Sequence, residues 1–319
     1  MNELASGSCA PNELASESTS GETGNVYDAL TEQHGVDGHW AFGAGFDTVG
    51  AEFAEVTAPV PDGAAAADVA TYCLMLGDDA LIYTHRLSQW ISNSPELEEE
   101  VALGNIALDL LGQARPLLSR AGHLAGAGQD EDALAFWRTE AQFRNVALAE
   151  VDDELDFARC IARLLVFATW RLALLARLGT SSDPVVAAVA AKGVKEVAYH
   201  RDYAVRWTLR LGDGTELSHA RMQAALDWVW TYVEELFRAG DVERRLSAVG
   251  VGLDPAEVRA EFDDVLEQVL TRATLRVPDR PGAGPIGGCA GRDGVHTEAL
   301  GHVLAEMQSL ARQHPGATW

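Results

Sequence analysis

Between Val101 and Leu118 the chain reads V-A-L-G-N-I-A-L-D-L-L-G-Q-A-R-P-L-L, apolar on nearly every side of a helix. A helix of that kind belongs inside a helical core rather than on a surface. Its few polar residues are therefore the informative ones. Asn105, Asp109 and Gln113 follow at steps of four with Gly112 beside them, and so form one narrow polar line along the helix. A buried polar line needs partners, either a metal or polar groups on facing helices.

The rest of the chain supplies facing helices. Cys73, Leu76, Ala80, Tyr83, Leu87 and Trp90 recur at steps of three and four, which predicts an amphipathic first helix from about residue 68 to 90. The second helix is expected to open with Ser94 as N-cap and Pro95 at its first position, followed by the acidic Glu96, Glu98, Glu99 and Glu100 that favour a helix start. Pro116 should kink it near its end. A short helical piece is expected around residues 132–137, and then a third long helix over 156–178, stopped by Gly179. The fourth begins at Asp183-Pro184 and runs to Leu211 before Gly212-Asp213-Gly214. Further helices are expected over 218–238, from Asp254-Pro255 to about 275, and over 297–313, the last preceded by a Gly- and Pro-rich loop at 278–294. No alternating strand pattern of useful length interrupts them. Four long helices in two pairs with three more packed on them make an all-α bundle in one domain, residues 65–319.

Residues 1–64 read differently. They are rich in Gly, Ser, Ala, Glu and Thr and repeat the unit N-E-L-A-S at Asn2 and Asn12, the composition of an acidic low-complexity extension that stays largely disordered. One aromatic stretch, His39-Trp40-Ala41-Phe42-Gly43-Ala44-Gly45-Phe46, could dock as an extended segment or remain an unstructured linker. No Lys or Arg precedes Arg86, while fourteen Asp and Glu do. From Arg86 onward the chain holds 24 basic and 34 acidic residues, so more than half of the net charge of −24 belongs to the N-terminal part. This acidity argues against nucleic acid or an anionic membrane as partner. With no signal-peptide pattern and no apolar run long enough to span a bilayer, a cytoplasmic protein is expected. Cys9, Cys73, Cys160 and Cys289 form no C-x-x-C pair, which argues against zinc ribbons, thioredoxin-type chemistry and a disulfide framework.

Helix bundles with inward carboxylates suggest di-iron carboxylate proteins, in which two helices each offer a Glu and two others each offer a Glu-x-x-His motif. Residues three apart share a helix face, so one helix can present an oxygen and an imidazole to the same metal pair. That set is missing. Helix two offers Asp109-Leu-Leu-Gly112, with glycine at the histidine position, and helix four offers Glu196-Val-Ala-Tyr199, with His200 one residue too far. From Phe157 to Ser182 there is no Asp, Glu or His, so helix three brings no carboxylate. Instead, Asn105, Asp109, Gln113, Lys195, Glu196 and His200 are expected to form a structural polar network, in which Lys195 or a neighbouring base supplies the positive charge that a metal would supply. The competing possibility is a self-contained di-iron or manganese oxidoreductase with an atypical ligand set drawn from Asp78, His85, Asp109, Glu196 and His200. Weaker features are Gly282-Ala-Gly284-Pro-Ile-Gly287, which lacks a preceding strand, and His302-x-x-x-Glu306 with Glu298 on the last helix. The arginines Arg159, Arg163, Arg171 and Arg177 of helix three are expected to meet acidic partners.

Several longer motifs, L-G-D-D-A-L at Leu76, H-R-L-S-Q-W at His85, P-E-L-E-E-E-V-A-L-G-N-I-A-L-D-L-L-G-Q-A-R at Pro95, K-E-V-A-Y-H at Lys195 and H-T-E-A-L-G-H-V-L-A-E-M-Q at His296, together resemble the C subunit of the bacterial phenylacetyl-CoA epoxidase, a multicomponent monooxygenase of phenylacetate degradation. The resemblance covers about residues 69–319. It implies a ferritin-like fold with additional C-terminal helices, and a complex whose di-iron centre sits in a homologous A subunit, which epoxidises the aromatic ring of phenylacetyl-CoA. It further implies a reductase subunit that delivers electrons from NADPH through flavin and an iron-sulfur cluster. In that family the C subunit is the structural partner of A and holds no cofactor of its own.

Overall fold

Two aspartates start two of the four long helices in the way their local sequence dictates. Asp156 accepts hydrogen bonds from the amides of Ala158 (2.8 Å) and Arg159 (3.3 Å), and Asp183 from those of Val185 (3.1 Å) and Val186 (3.2 Å), with Pro184 at the first helical position. The computed structural model describes residues 56–126, 128–279 and 281–317. The N-E-L-A-S repeat and the aromatic stretch at 39–46 lie outside the described residues.

Ten α-helices and no strand occur among the described residues. They are α1 (Ala66–Ser88), α2 (Leu97–Ala125), α3 (Glu131–Phe136), α4 (Ala147–Glu150), α5 (Phe157–Leu178), α6 (Pro184–Gly212), α7 (Glu216–Val229), α8 (Asp241–Ala248), α9 (Arg259–Arg272) and α10 (Glu298–Gln313). The four long helices α1, α2, α5 and α6 form the ferritin-like bundle. α1 lies along α2, α5 lies along α6, and α2 closes against α6. No described helix is long and apolar enough to cross a membrane.

The structure departs from the expected elements in four places. α2 begins at Leu97 with Glu96 in the cap position and no side-chain cap, while the Ser94 hydroxyl points back and donates to the Trp90 carbonyl (2.9 Å); Ser94 and Pro95 belong to the preceding turn. The expected helix over 218–238 ends at Val229 and continues as two 3₁₀ turns, Trp230–Tyr232 and Glu234–Phe237, where the Trp170 indole donates to the Leu236 carbonyl (3.1 Å). Asp254-Pro255 opens a 3₁₀ turn, and α9 follows only at Arg259. α8 is not evident from periodicity at all: it is eight residues long and mostly polar.

α2 also departs from expectation in its coverage. Pro116 sits inside it and the helix runs on to Ala125. Leu103, Ile106, Leu110, Ala114, Leu117 and Leu118 are buried, but Leu97, Val101 and Leu108 are exposed. The helix that reads as apolar all round is therefore covered on only one side by its own chain. By contrast α5 is buried nearly throughout.

Buried ion pairs tie the remaining pieces to the bundle. Asp78 holds Arg138 and the Arg144 amide (2.8 Å), and Asp79 receives both terminal nitrogens of Arg292 (3.0 and 2.8 Å) together with the Val146 amide (2.9 Å). Arg120 pairs with Asp183 (2.8 Å) and donates to the carbonyls of Val56 (2.8 Å) and Ala58 (2.6 Å), fixing residues 56–58 to the ends of α2 and α6.

Candidate functional site

In the middle of α5, among Leu172, Leu174 and Leu175, Arg171 turns a guanidinium into the space between the four long helices. It is fully buried. Its Nε donates to Gln113 Oε1 of α2 (2.9 Å), and its terminal nitrogens reach the Leu76 carbonyl of α1 (3.4 Å). Gln113 Nε2 in turn donates to Glu196 Oε2 of α6 (2.9 Å). A guanidinium can only donate and an ionised carboxylate only accept, so the amide between them has one allowed orientation, oxygen toward Arg171 and nitrogen toward Glu196. Gly193 makes room for this arrangement: a Cβ there would stand 2.8 Å from Leu175 Cδ1 and 3.2 Å from Gln113 Cδ. Glu196 leads outward to Lys192 Nζ (3.8 Å) at the surface.

Burial pushes the Arg171 guanidinium down to about 10, against the attraction of Asp79 and Glu196, and leaves it charged at neutral pH. The other three long helices thus face one buried cation carried by α5. Lys195, expected together with the alternative of a neighbouring base as the source of that charge, is exposed; it is turned about 100° around α6 from Glu196 and cannot share its inward face. The correction is that α5, which brings no acid, brings the base. A charged side chain in the middle of a helix whose neighbours are all apolar is the signal, since such a residue has nowhere to go but inward. Of its fellow arginines, Arg159 pairs with Glu154 (2.9 Å), Arg163 with Asp153 (2.7 Å) and Arg177 with Glu261 (2.8 Å).

Asp109 and His200 make a second contact, Oδ2 to Nε2 at 3.0 Å, nearer the surface. The Asp109 side chain is 41% exposed and that of His200 3%. Burial lowers the His200 pKa below the ordinary histidine value, against the hydrogen bond and charge of Asp109. Asn105 is half-buried farther along the same seam and makes no side-chain hydrogen bond among the described residues. The polar line of α2 therefore follows the α2/α6 seam, and only Gln113 reaches the centre.

The alternative ligand set does not converge. Asp78 is taken up by Arg138, and His85 is half-buried toward Glu306. Asp109 and Glu196 are engaged with His200 and Gln113. Among the described residues the one group of three or more metal-capable side chains is Glu96, Glu98 and Glu99 at the start of α2, away from the bundle centre. The residues at the centre do not fit a di-iron pair: a guanidinium and a carboxamide stand where two cations would require carboxylates and imidazoles. Among the described residues no strand precedes the loop glycines 282–287, and His302 and Glu298 make only an exposed 3.9 Å contact.

The family model for "Phenylacetic acid catabolic protein" matches residues 54–319. The chain belongs to this phenylacetic acid catabolic family. A curated relative, the C subunit of the 1,2-phenylacetyl-CoA epoxidase of Escherichia coli (strain K12), is 44% identical over 248 residues, covering 78% of this chain and 98% of the relative. The matched region of this family member takes in every helix described above, including Arg171, Gln113 and Glu196.

Proposed function

We infer that this chain is the structural, non-catalytic subunit of a cytoplasmic multicomponent monooxygenase that epoxidises the aromatic ring of phenylacetyl-CoA in phenylacetate catabolism. It pairs with a homologous A subunit that holds the di-iron centre, and a reductase subunit supplies electrons from NADPH through flavin and an iron-sulfur cluster. The name of the Escherichia coli relative supports the reaction. The buried guanidinium of Arg171, hydrogen-bonded to Gln113 at the centre of the bundle, carries the non-catalytic part of the reading. A positive side chain there repels a metal pair and satisfies the facing polar groups without one.

Co-expression of the full chain with the A subunit, followed by size-exclusion chromatography and an epoxidation assay with the reductase, tests this directly. The expected result is co-elution of the two chains and turnover only when both are present. Turnover by the A subunit and reductase alone at the rate of the full mixture, or by this chain without the A subunit, would contradict it.

A further inference from the structure

The α2 helix leaves an apolar face uncovered. Leu97 is 70% exposed, Val101 48% and Leu108 65%, and with Gly104 they occupy positions i, i+4, i+7 and i+11, a single stripe about 16 Å long. Gly104 adds nothing above the backbone, and a Cβ there would meet no atom within 4 Å, so the stripe is open along its length. Leu111 continues it half-buried, and across the seam α6 presents the exposed Tyr199. Singly exposed leucines are ordinary, but a repeating stripe on a helix that is apolar on its other sides is not.

The stripe begins in a charged setting. Glu96, Glu98 and Glu99 place carboxylate oxygens within 4.8 Å of one another. None of the three forms an ion pair with a described residue, although Glu99 is nine-tenths buried. Like charges at that spacing repel, and the α2 N-terminus offsets only part of the repulsion. A cation arriving beside Leu97 relieves it.

We propose that the α2 stripe is the docking surface for the catalytic subunit, and that its occupant is a helical face with apolar side chains against Leu97, Val101 and Leu108 and a lysine or arginine against Glu96 and Glu98. This rests on the pairing argued above and deepens it: it assigns the surface and the charge of the partner. Apolar contact at the middle of the stripe supplies affinity, and the acidic end sets orientation and rate of encounter.

The test measures binding of the purified A subunit to the full chain as wild type, as Val101→Arg/Leu108→Arg and as Glu96→Lys/Glu98→Lys, with Ile286→Arg on the exposed 278–294 loop as a surface control. All the substituted side chains point to solvent except where the partner sits, and an unchanged thermal melt confirms folding. Kd is expected to rise about 100-fold or more for Val101→Arg/Leu108→Arg. For Glu96→Lys/Glu98→Lys the expected rise is about 10-fold, with loss of the salt dependence, and the Ile286→Arg control stays unchanged. Wild-type binding by Val101→Arg/Leu108→Arg would overturn the docking surface and leave the pairing intact. No binding by the wild-type chain would overturn the pairing and with it this surface. Self-association of the wild-type chain that is lost in Val101→Arg/Leu108→Arg would assign the stripe to a second copy and contradict the proposal.

Discussion

Arg171 holds together groups that each lose a partner when it goes. Replacing it by leucine leaves Gln113 Oε1 without its donor, removes the contacts to the Leu76 carbonyl and removes the positive charge opposite Asp79 and Glu196. Arg171→Leu is expected to cost about 3 kcal/mol or more in urea unfolding, whereas Arg171→Met/Gln113→Leu/Glu196→Leu recovers much of that loss, since an apolar replacement leaves no orphan. A triple variant as unstable as the single one would show that Arg171 acts by packing alone. Asp109 is a milder case. His200 is held neutral by burial and Asp109 is partly in water, so Asp109→Ala is expected to cost about 1 kcal/mol or less in the same assay. This revises what the polar line of α2 suggests in the sequence, where Asp109 reads as its central member. The sequence shows that residue types are present; it does not show the register of α5 against α2, which decides that Arg171 rather than Lys195 meets Gln113.

His296 supplies a pH dependence at the same scale. Its Nδ1 faces Glu150 Oε2 (2.8 Å) and its Nε2 faces the Phe143 carbonyl (3.1 Å), two acceptors that only the doubly protonated ring can satisfy. Glu150 in turn accepts from Asn145 Nδ2 (2.7 Å) and from the Thr297 amide (2.6 Å) at the start of α10, while the Arg86 Nε donates to the Glu150 carbonyl (2.7 Å). Burial acts to lower the His296 pKa, but Glu150, the Phe143 carbonyl and Glu235 outweigh it and raise it above the ordinary 6.5. A raised folded value means that the stabilisation is fully present below about pH 6.5 and is lost as pH rises through the folded pKa. Urea midpoints of the wild type should therefore fall over that rise, and His296→Gln should flatten this part of the profile; an equally steep fall in His296→Gln would place the titration elsewhere.

At the scale of elements, helix starts governed by a side chain and its own next turn are legible. Asp156 and Asp183 cap as their spacing indicates, because the bond is local. The start of α2 is not, because the Ser94 hydroxyl turns back to Trp90, whose indole is itself anchored to Asp153 (3.1 Å) from another part of the chain. Nor is α8, whose short polar sequence carries little periodicity. Asp183 does two things at once, capping α6 and neutralising Arg120, which clamps residues 56–58. Asp183→Asn keeps a cap but leaves a buried guanidinium unpaired, and Asp183→Ala loses both. Hydrogen exchange at Val185 and Val186 should accelerate strongly in Asp183→Ala and little in Asp183→Asn, while both variants lose about 3 kcal/mol or more of global stability. Equal exchange in the two would mean that the cap contributes nothing beyond the ion pair.

Across the whole molecule, the all-α bundle is readable from periodicity, and the family from several long motifs in order. What periodicity misjudges is coverage: α2 reads as a buried helix, yet its own chain shields only part of it, as expected of an element whose remaining cover comes from another subunit. That open face goes together with a bundle centre filled by a guanidinium rather than by metal ligands. Iron analysis of the purified full chain, alone and in complex with the A subunit, probes that centre directly. No stoichiometric iron is expected in the chain alone, and the iron of the complex should leave with the A subunit; stoichiometric iron in the chain alone, lost on Asp109→Ala or Glu196→Ala, would contradict a non-catalytic role.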